Sequence, residues 1–311
     1  MECAEGDRHR STGGRHPRSK SPELEKVADA EVPPPPHPPP AQQETRGPGN
    51  SLTIQQSSYN GTPELLTKIT PMVALMITGL FSAVINAVLI LLVRRLPLLT
   101  PAGWWHAWGL GTLLGISLGW RGWLAVVLYL AFGSAVTKLG FAKKQALGIA
   151  EGRGGKRGPE NVWGSAATGL VLALATLLPG APKQLLLSGF VASFAAKLAD
   201  TFGSEIGKRW GKTTLSLSRW RPVPPGTDGA VSIEGTAASL IGALLFCCIG
   251  WGLGLIPAGQ IALLSAVGLV ASLLESLIGA ELQPRFVWLS NEGVNGLLTV
   301  IAAGLAMALL R

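Results

Sequence analysis

Apolar residues gather into long runs separated by short polar segments, and the runs set the first expectation. Residues 71–93 carry no charge, and 236–256, 259–274 and 294–310 are likewise uncharged. Each approaches or exceeds the roughly 20 residues that a helix needs to cross hydrocarbon. Shorter or less clean runs cover 98–120, 123–137, 162–178 and 183–199. The pattern predicts an all-α, multi-spanning membrane helix bundle of about eight spans, with six to eight as the range and 123–137 at the short end.

Composition agrees with that class. Hydrophobic residues make up 48% and charged residues 14% of the chain, with 40 glycines, a balance of multi-spanning proteins rather than soluble domains. Cys3 lies in a polar segment and Cys247 and Cys248 are neighbours in an apolar run, a spacing that suits neither a disulfide framework nor a zinc site. Residues 1–68 are different material. They mix both charge signs, hold P-P-P-P-H-P-P-P at 33–40 and lack an apolar period, so a disordered tail is expected ahead of a single membrane domain at 69–311. Glu2, Glu5, Asp7, Glu23, Glu25, Asp29 and Glu31 argue against an organellar transit peptide, and the tail has no apolar segment of a secretory signal.

Charge then orients the spans. Arg94-Arg95 closes the first run, and the segment after the third carries Lys138, Lys143, Lys144, Arg153, Lys156 and Arg157 against Glu151 and Glu160. The positive-inside rule places this basic loop on the cytoplasmic or stromal side. Two readings of it compete: a topology signal or anionic-lipid contact, and a phosphate clamp in which R-G-G-K-R-G offers backbone N–H groups beside Arg and Lys. Gly111, Gly115 and Gly119 form small-xxx-small spacings that let a neighbouring helix approach. His106, among Trp104, Trp105 and Trp108, reads as part of an interfacial aromatic belt. As the one histidine outside the tail it leaves little room for a serine protease within the membrane. A turn at Pro179-Gly180-Ala181-Pro182 returns the chain to the basic face.

That return delivers residues 197–236, where carboxylates, ammonium groups, guanidiniums, hydroxyls and glycines concentrate between two apolar runs. Charge beside a bilayer is costly unless paired or used, so this stretch is the candidate working site. On a continuing helix, Thr201, Glu205, Lys208 and Lys212 share one face while Asp200, Gly203, Ser204 and Gly207 share another. Asp200 and Glu205 then meet one metal ion only if the glycines bend or end the helix. Pairing of Glu205 with Lys208 and Arg209 on a solvated face is the competing reading. Gly211-Lys212-Thr213 is not a Walker loop, because the motif needs glycine where this chain has Ile206. Further on, Pro224 and Pro225 stiffen the approach to Thr227 and Asp228, and Gly226 and Gly229 free the backbone around them. Such a build holds a polar ligand or makes a plain surface turn. Glu234 lies at the edge of one span and Glu275 inside another, with Arg285, Lys197 or a metal as its candidate partner. Asn291 and Asn295 offer amide ligands or helix-helix hydrogen bonds. The basic loop, the central stretch and the 281–292 loop converge on one membrane face. Their acids, Lys and Arg are the equipment of phosphoryl or nucleotidyl transfer.

Four blocks carry a resemblance: G-x-A-K-K-x-A-L-G-x-A-E-x-R-x-G-x-R-G-P from Gly140, A-D-T-F-G-S-E-I-G-K from Ala199, V-P-P-G-T-D-G-A-V-S-I-E-G-T from Val223 and E-S-L-I-G-A from Glu275. In that order, over everything after the tail, the chain resembles the phytyl-phosphate kinase family of plants and cyanobacteria. The resemblance implies a multi-pass protein of a cyanobacterial membrane or of the chloroplast envelope or thylakoid. It implies transfer of a phosphoryl group from a nucleoside triphosphate, CTP by analogy with related prenol kinases, onto phytyl monophosphate. Phytyl diphosphate would then feed tocopherol and phylloquinone synthesis. In that chemistry two anions approach each other, so neutralisation and alignment matter more than a general base. Asp200, Glu205 and Asp228 are then expected at Mg²⁺ with Glu234 and Glu275 in support, and Lys208 and Lys212 at the transferring phosphate. Arg153, Arg157, Lys143, Lys144, Thr227, Gly226, Gly229, Ser232, Asn291 and Asn295 are expected around the substrates. The expected partners are an isoprenoid phosphate and the bilayer, and no nucleic acid. A non-enzymatic carrier or flippase for an anionic isoprenoid lipid is the alternative.

Overall fold

The structure, a computed structural model, describes residues 61–311 except 228. The predicted tail up to residue 60 and Asp228 lie outside the described residues. Residues 61–68, assigned to the tail on composition, are instead helical, because α1 runs over Gly61–Val93. The other helices are α2 (Pro101–Ser117), α3 (Gly119–Lys138), the short α4 (Phe141–Ala146), α5 (Pro159–Ala175), α6 (Lys183–Trp210), α7 (Ile233–Gly252), α8 (Ile261–Glu281) and α9 (Asn291–Leu309). Every predicted apolar run is a helix. Six of them, α1, α3, α6, α7, α8 and α9, are long and apolar enough to cross a membrane. The 17-residue α2 and α5 rise only about 26 Å, short of a hydrocarbon core about 30 Å thick. The run at 123–137, the shortest expected span, gains length because α3 starts at Gly119, whose φ of 64° turns the corner out of α2.

Helix α6 is the hub. It packs against α3, α5, α7, α8 and α9, and Phe190, Val191, Ala192, Phe194, Ala195, Ala196, Leu198 and Ala199 expose no surface. Below the polar end of the bundle, Phe194 packs against Phe190, Phe246 of α7 and Tyr129 of α3 at centroid distances of 5.1–5.6 Å, and Tyr129 meets Phe246 at 6.5 Å. The bundle interior is filled there. At the edge, α1 rests on α2 through small residues: a Cβ on Gly115 would lie 2.7 Å from Ser82 Oγ, and Asn86 donates to the Trp108 carbonyl at 2.8 Å. Gly111 and Gly115 therefore serve helix approach as their spacing predicts, whereas Gly119 is the corner.

Between α6 and α7 the chain forms β1 (Thr214–Ser216), β2 (Arg221–Pro222) and β3 (Ala230–Ser232), an antiparallel sheet in the order β2-β1-β3. Strands this short leave no periodic trace in a sequence, and none was expected here. Ser232 caps α7, accepting from the Gly235 N–H at 3.0 Å.

The glycines of A-D-T-F-G-S-E-I-G are packing residues. A Cβ on Gly203 would sit 2.1 Å from Ser239 Oγ, and one on Gly235 would sit 2.8 Å from the Gly203 carbonyl. This backbone contact sets how close α6 and α7 run. Gly203→Leu is therefore expected to lower stability by about 1–3 kcal/mol. Gly304→Ala, on a face with nothing within 4 Å, should leave the detergent melting temperature unchanged or slightly raised. Equal melting of the two variants would show that the α6–α7 approach is not a constraint.

Candidate functional site

The polar end of α6 carries five ionisable groups: Lys197, Asp200, Glu205 and Lys208 are paired through charge, and Arg209 stacks over Trp210. Lys197, 7% exposed, donates to Asp200 one turn on and to Asn295 Oδ1 of α9 at 2.9 Å. Glu205, 2% exposed, accepts from Lys144 of α4, and that fully buried ammonium also donates to the Thr137 carbonyl of α3 at 2.9 Å. Lys208 donates to Glu151 of the basic loop at 3.0 Å. The helix is unbroken through Gly203 and Gly207, so Asp200 and Glu205 stay on different faces and the bend that would turn both toward one ion is not made. Nor does Glu205 form the expected helical pair with Lys208, because each is taken by the basic loop instead. Burial pushes the Glu151 carboxyl up, and Lys208, aided by Lys197, more than offsets it and holds the group below the ordinary carboxylate range.

These pairs wall a cavity of about 470 Å³. The basic loop contributes Glu151, Arg153, Lys156 and Arg157, α6 contributes Lys197, Asp200, Glu205 and Lys208, and Glu275 of α8 and Asn291, Glu292 and Asn295 of α9 close the far side. Three helix N-termini, those of α5, α7 and α9, reach it through Asn161, Gly235 and Asn291. Orphan N–H groups and helix dipoles at such ends favour anions. Arg157 is fixed by a 2.7 Å bond to Tyr129 Oη and lies 5.3 Å over its ring, with Gly133 leaving room for the guanidinium. Arg153 has φ 54° and holds Glu160 and Asn161, and Asn161 in turn donates to Glu292 of α9 at 3.1 Å. Thr227, Gly226, Gly229 and Ser232 line the cavity as expected. Gly226 and Gly229 take φ of 87° and 68°, and a Cβ on Gly229 would lie 2.2 Å from the Ser276 carbonyl. Thr214 Oγ1, buried at this wall, has no hydrogen-bond partner among the described residues.

Other expectations move. Lys144, predicted at a phosphate, is the internal counter-ion of Glu205. Lys143 is exposed and outside the cavity wall. Lys212 lies beyond the end of α6 rather than on its face. Its backbone N–H points at Glu234, 3.4 Å away, and neither side chain lines the cavity. Arg285 pairs with Glu281 at 2.9 Å, while Glu275 adds to the negative field at Lys197. His106 accepts from Trp163 at 2.8 Å, a packing role. Asp228 lies outside the described residues. Glu151, Asn161 and Glu292 were not anticipated, although each sits in a loop already marked as polar.

Among the described residues no three Asp, Glu, His or Cys side chains group closely enough to hold a metal by themselves. The wall nevertheless offers carboxylate and amide oxygens at Asp200, Glu275 and Asn291, and Mg²⁺ is ordinarily held by one or two carboxylates with phosphate and water completing the shell.

Residues 83–303 match the integral membrane protein family DUF92. The chain belongs to that family. A cyanobacterial relative, the uncharacterized membrane protein sll0875 of Synechocystis, is 48% identical over 74% of this chain and 90% of its own length. Protein VTE6, chloroplastic, of Arabidopsis thaliana is 41% identical over 69% of this chain and 67% of its own, and an uncharacterized membrane protein of Methanocaldococcus jannaschii, MJ0933, is 30% identical over 71% and 89%. No solved structure matches. The chain is thus an integral membrane protein of a family with cyanobacterial and chloroplastic members, as the resemblance implied.

Two outcomes test the pairing. Lys144→Met strands a buried carboxylate and should destabilise the protein by about 3 kcal/mol or more, while Lys144→Met with Glu205→Leu recovers most of the loss; a double variant as unstable as the single contradicts the pair. The depressed Glu151 carboxyl contributes stability that is present above its unfolded value, near 4.3, and lost as pH falls through its folded value. The melting difference between native protein and Glu151→Gln should therefore be constant above about pH 5 and shrink in more acid solution.

Proposed function

We propose that this protein is a membrane-embedded phosphotransferase that moves a phosphoryl group from a nucleoside triphosphate, with CTP as donor, to phytyl monophosphate, giving phytyl diphosphate for tocopherol and phylloquinone synthesis. The observation that carries the reading is the single cavity in which basic-loop cations, α6 charges and three helix N-termini converge at the end of a membrane bundle. The substrate and the pathway rest on the resemblance of the four sequence blocks, and the relation to VTE6 is in keeping with it.

The chain's own residues divide the work by position. Arg153, Lys156 and Arg157 on the basic loop bind donor phosphates, with Arg157 pre-aligned by Tyr129. Lys208 and Lys197, about 16 Å apart along α6, extend positive charge from the loop inward, so two anions are neutralised as they approach. Asn295 and Asp200 hold the Lys197 ammonium in place. Asp200 and Glu275, with Asn291, would hold Mg²⁺, which supplies charge neutralisation of the transferring phosphate. The acceptor's phosphate already presents an ionised oxygen, and this explains a site rich in cations that recruits no histidine. Its isoprenoid chain would lie along the apolar spans, each buried CH₂ contributing about 0.8 kcal/mol.

A carrier for an anionic lipid would need a route past the cavity floor. The packed rings of Tyr129, Phe190, Phe194 and Phe246 fill the bundle below the site and favour transfer over passage. Purified protein given phytyl phosphate, γ-labelled CTP and Mg²⁺ should yield labelled lipid diphosphate. Asp200→Asn should reduce the yield by roughly 100-fold while leaving a folded protein. No labelled lipid from native protein would sink the transferase reading, and full activity of Asp200→Asn would remove that carboxylate from the mechanism.

A further inference from the structure

The small sheet between α6 and α7 is built inside out. An antiparallel sheet with one covered face normally turns its apolar side inward. Here Thr214, Ser216 and Ser232 are the buried positions, and Thr214 and Ser232 face the polar cavity. The register places Leu215 opposite both Pro222 and Val231; Val231 is half-buried and reaches the cavity wall, while on the outer face Leu215 is 38% exposed and Pro222 is exposed. Ile233, which follows β3, is 84% exposed, and Trp220, at the turn before β2, is 81% exposed. Trp220 also takes φ 49°, a left-handed conformation that a bulky residue adopts at a cost. Among the described residues, Pro222, Ile233 and Trp220 on this strip are left exposed.

The strip's charge says what covers it. Between residues 209 and 227 the chain has Arg209, Lys212, Arg219 and Arg221 and no acid. Arg219 and Arg221 are exposed on either side of Trp220, and neither makes an ion pair with a described residue. Arg209 stacks over Trp210 at 4.8 Å at the end of α6. The strip is also tied at both ends to helices that cross the membrane: β1 starts shortly after Trp210, and β3 runs directly into α7. At the same end of the bundle the α8–α9 loop exposes Phe286, Val287 and Trp288.

We propose that the outer face of this sheet lies in the headgroup layer of the membrane the chain spans and recognises anionic lipid there. Leu215, Pro222, Ile233 and Trp220 enter the acyl boundary while Arg219 pairs with lipid phosphate. Aromatic and basic side chains partition to that depth, and each basic residue at an anionic surface contributes about 1 kcal/mol. The inner face of the same sheet walls the cavity, so the cavity is held at the level where a lipid phosphate sits.

The test uses full-length protein in proteoliposomes, with the Trp220 signal isolated as the difference between native protein and Trp220→Phe. Phosphatidylcholine or phosphatidylglycerol, brominated near the headgroup, serves as the quencher in membranes containing both lipids. The Trp220 component should be quenched by bromolipid and spared by aqueous iodide. Quenching should be stronger when the bromine is on phosphatidylglycerol, and that preference should weaken by about fivefold in Arg219→Gln, the equivalent of roughly 1 kcal/mol. Quenching by iodide and not by lipid overturns the proposal. Equal quenching by the two lipids does so as well, and so does shielding from both quenchers, which marks a second copy or another protein on the strip.

Discussion

A charge on a helix inside an apolar bundle has to be answered by an opposite charge, and that requirement shapes the working end of this protein. Helix α6 presents Lys197, Asp200, Glu205 and Lys208 over three turns, following a stretch, residues 188–196, that is buried throughout. One answer is local, between Lys197 and Asp200. The other two come from the segment joining α3 to α5, where Lys144 reaches Glu205 and Glu151 reaches Lys208. Stranding any of these charges costs far more than an exposed ion pair contributes, so the basic segment is drawn down onto α6 rather than left in solvent. Once it lies there, Arg153, Lys156 and Arg157 have no position other than the cavity wall.

Backbone contacts complete the frame. The glycines of α6 and α7 let the two helices touch, which brings the α7 N-terminus and the sheet that precedes it against the polar end of α6. The turn at Gly226 and Gly229 wedges between Ile149 of the basic segment and Ser276 and Ala280 of α8, joining three loops into one rim. Rigid aromatic packing below and paired charges above give a site whose cations are already placed. Such preorganisation is what the joining of two phosphates requires, since the chemistry asks the protein for little beyond alignment and neutralisation.

The spans were legible because lipid imposes a crude rule: a helix must be apolar over a fixed length, and the eight runs obey it or narrowly miss it. The convergence of three polar loops also followed from charge bookkeeping. What the sequence concealed is pairing across distance. Lys144 and Glu205 lie 61 residues apart, and nothing local distinguishes Lys144, which is buried, from Lys143, which is exposed. The same limit applies to Gly203 and Gly207, where the sequence allowed the helix to bend or end and the structure makes helix contacts instead, because glycine serves both ends. Lys212 moved because the helix stops at Trp210, two residues before the face it was assigned to continues. The sheet left no signal, since its strands are two or three residues long and its pattern of polar inside and apolar outside is the reverse of what a strand search expects.

The central claim is that the paired charges of α6 and the basic segment form a seat for a magnesium-bound nucleotide. Equilibrium binding of labelled CTP to the purified protein with Mg²⁺, without any lipid acceptor, addresses it most directly. Native protein should bind, and Lys208→Met and Arg157→Gln should each weaken binding by about tenfold or more, in line with the loss of a charge-assisted phosphate contact. Nucleotide affinity unchanged in both variants, or absent from the native protein at millimolar concentration, would contradict the account.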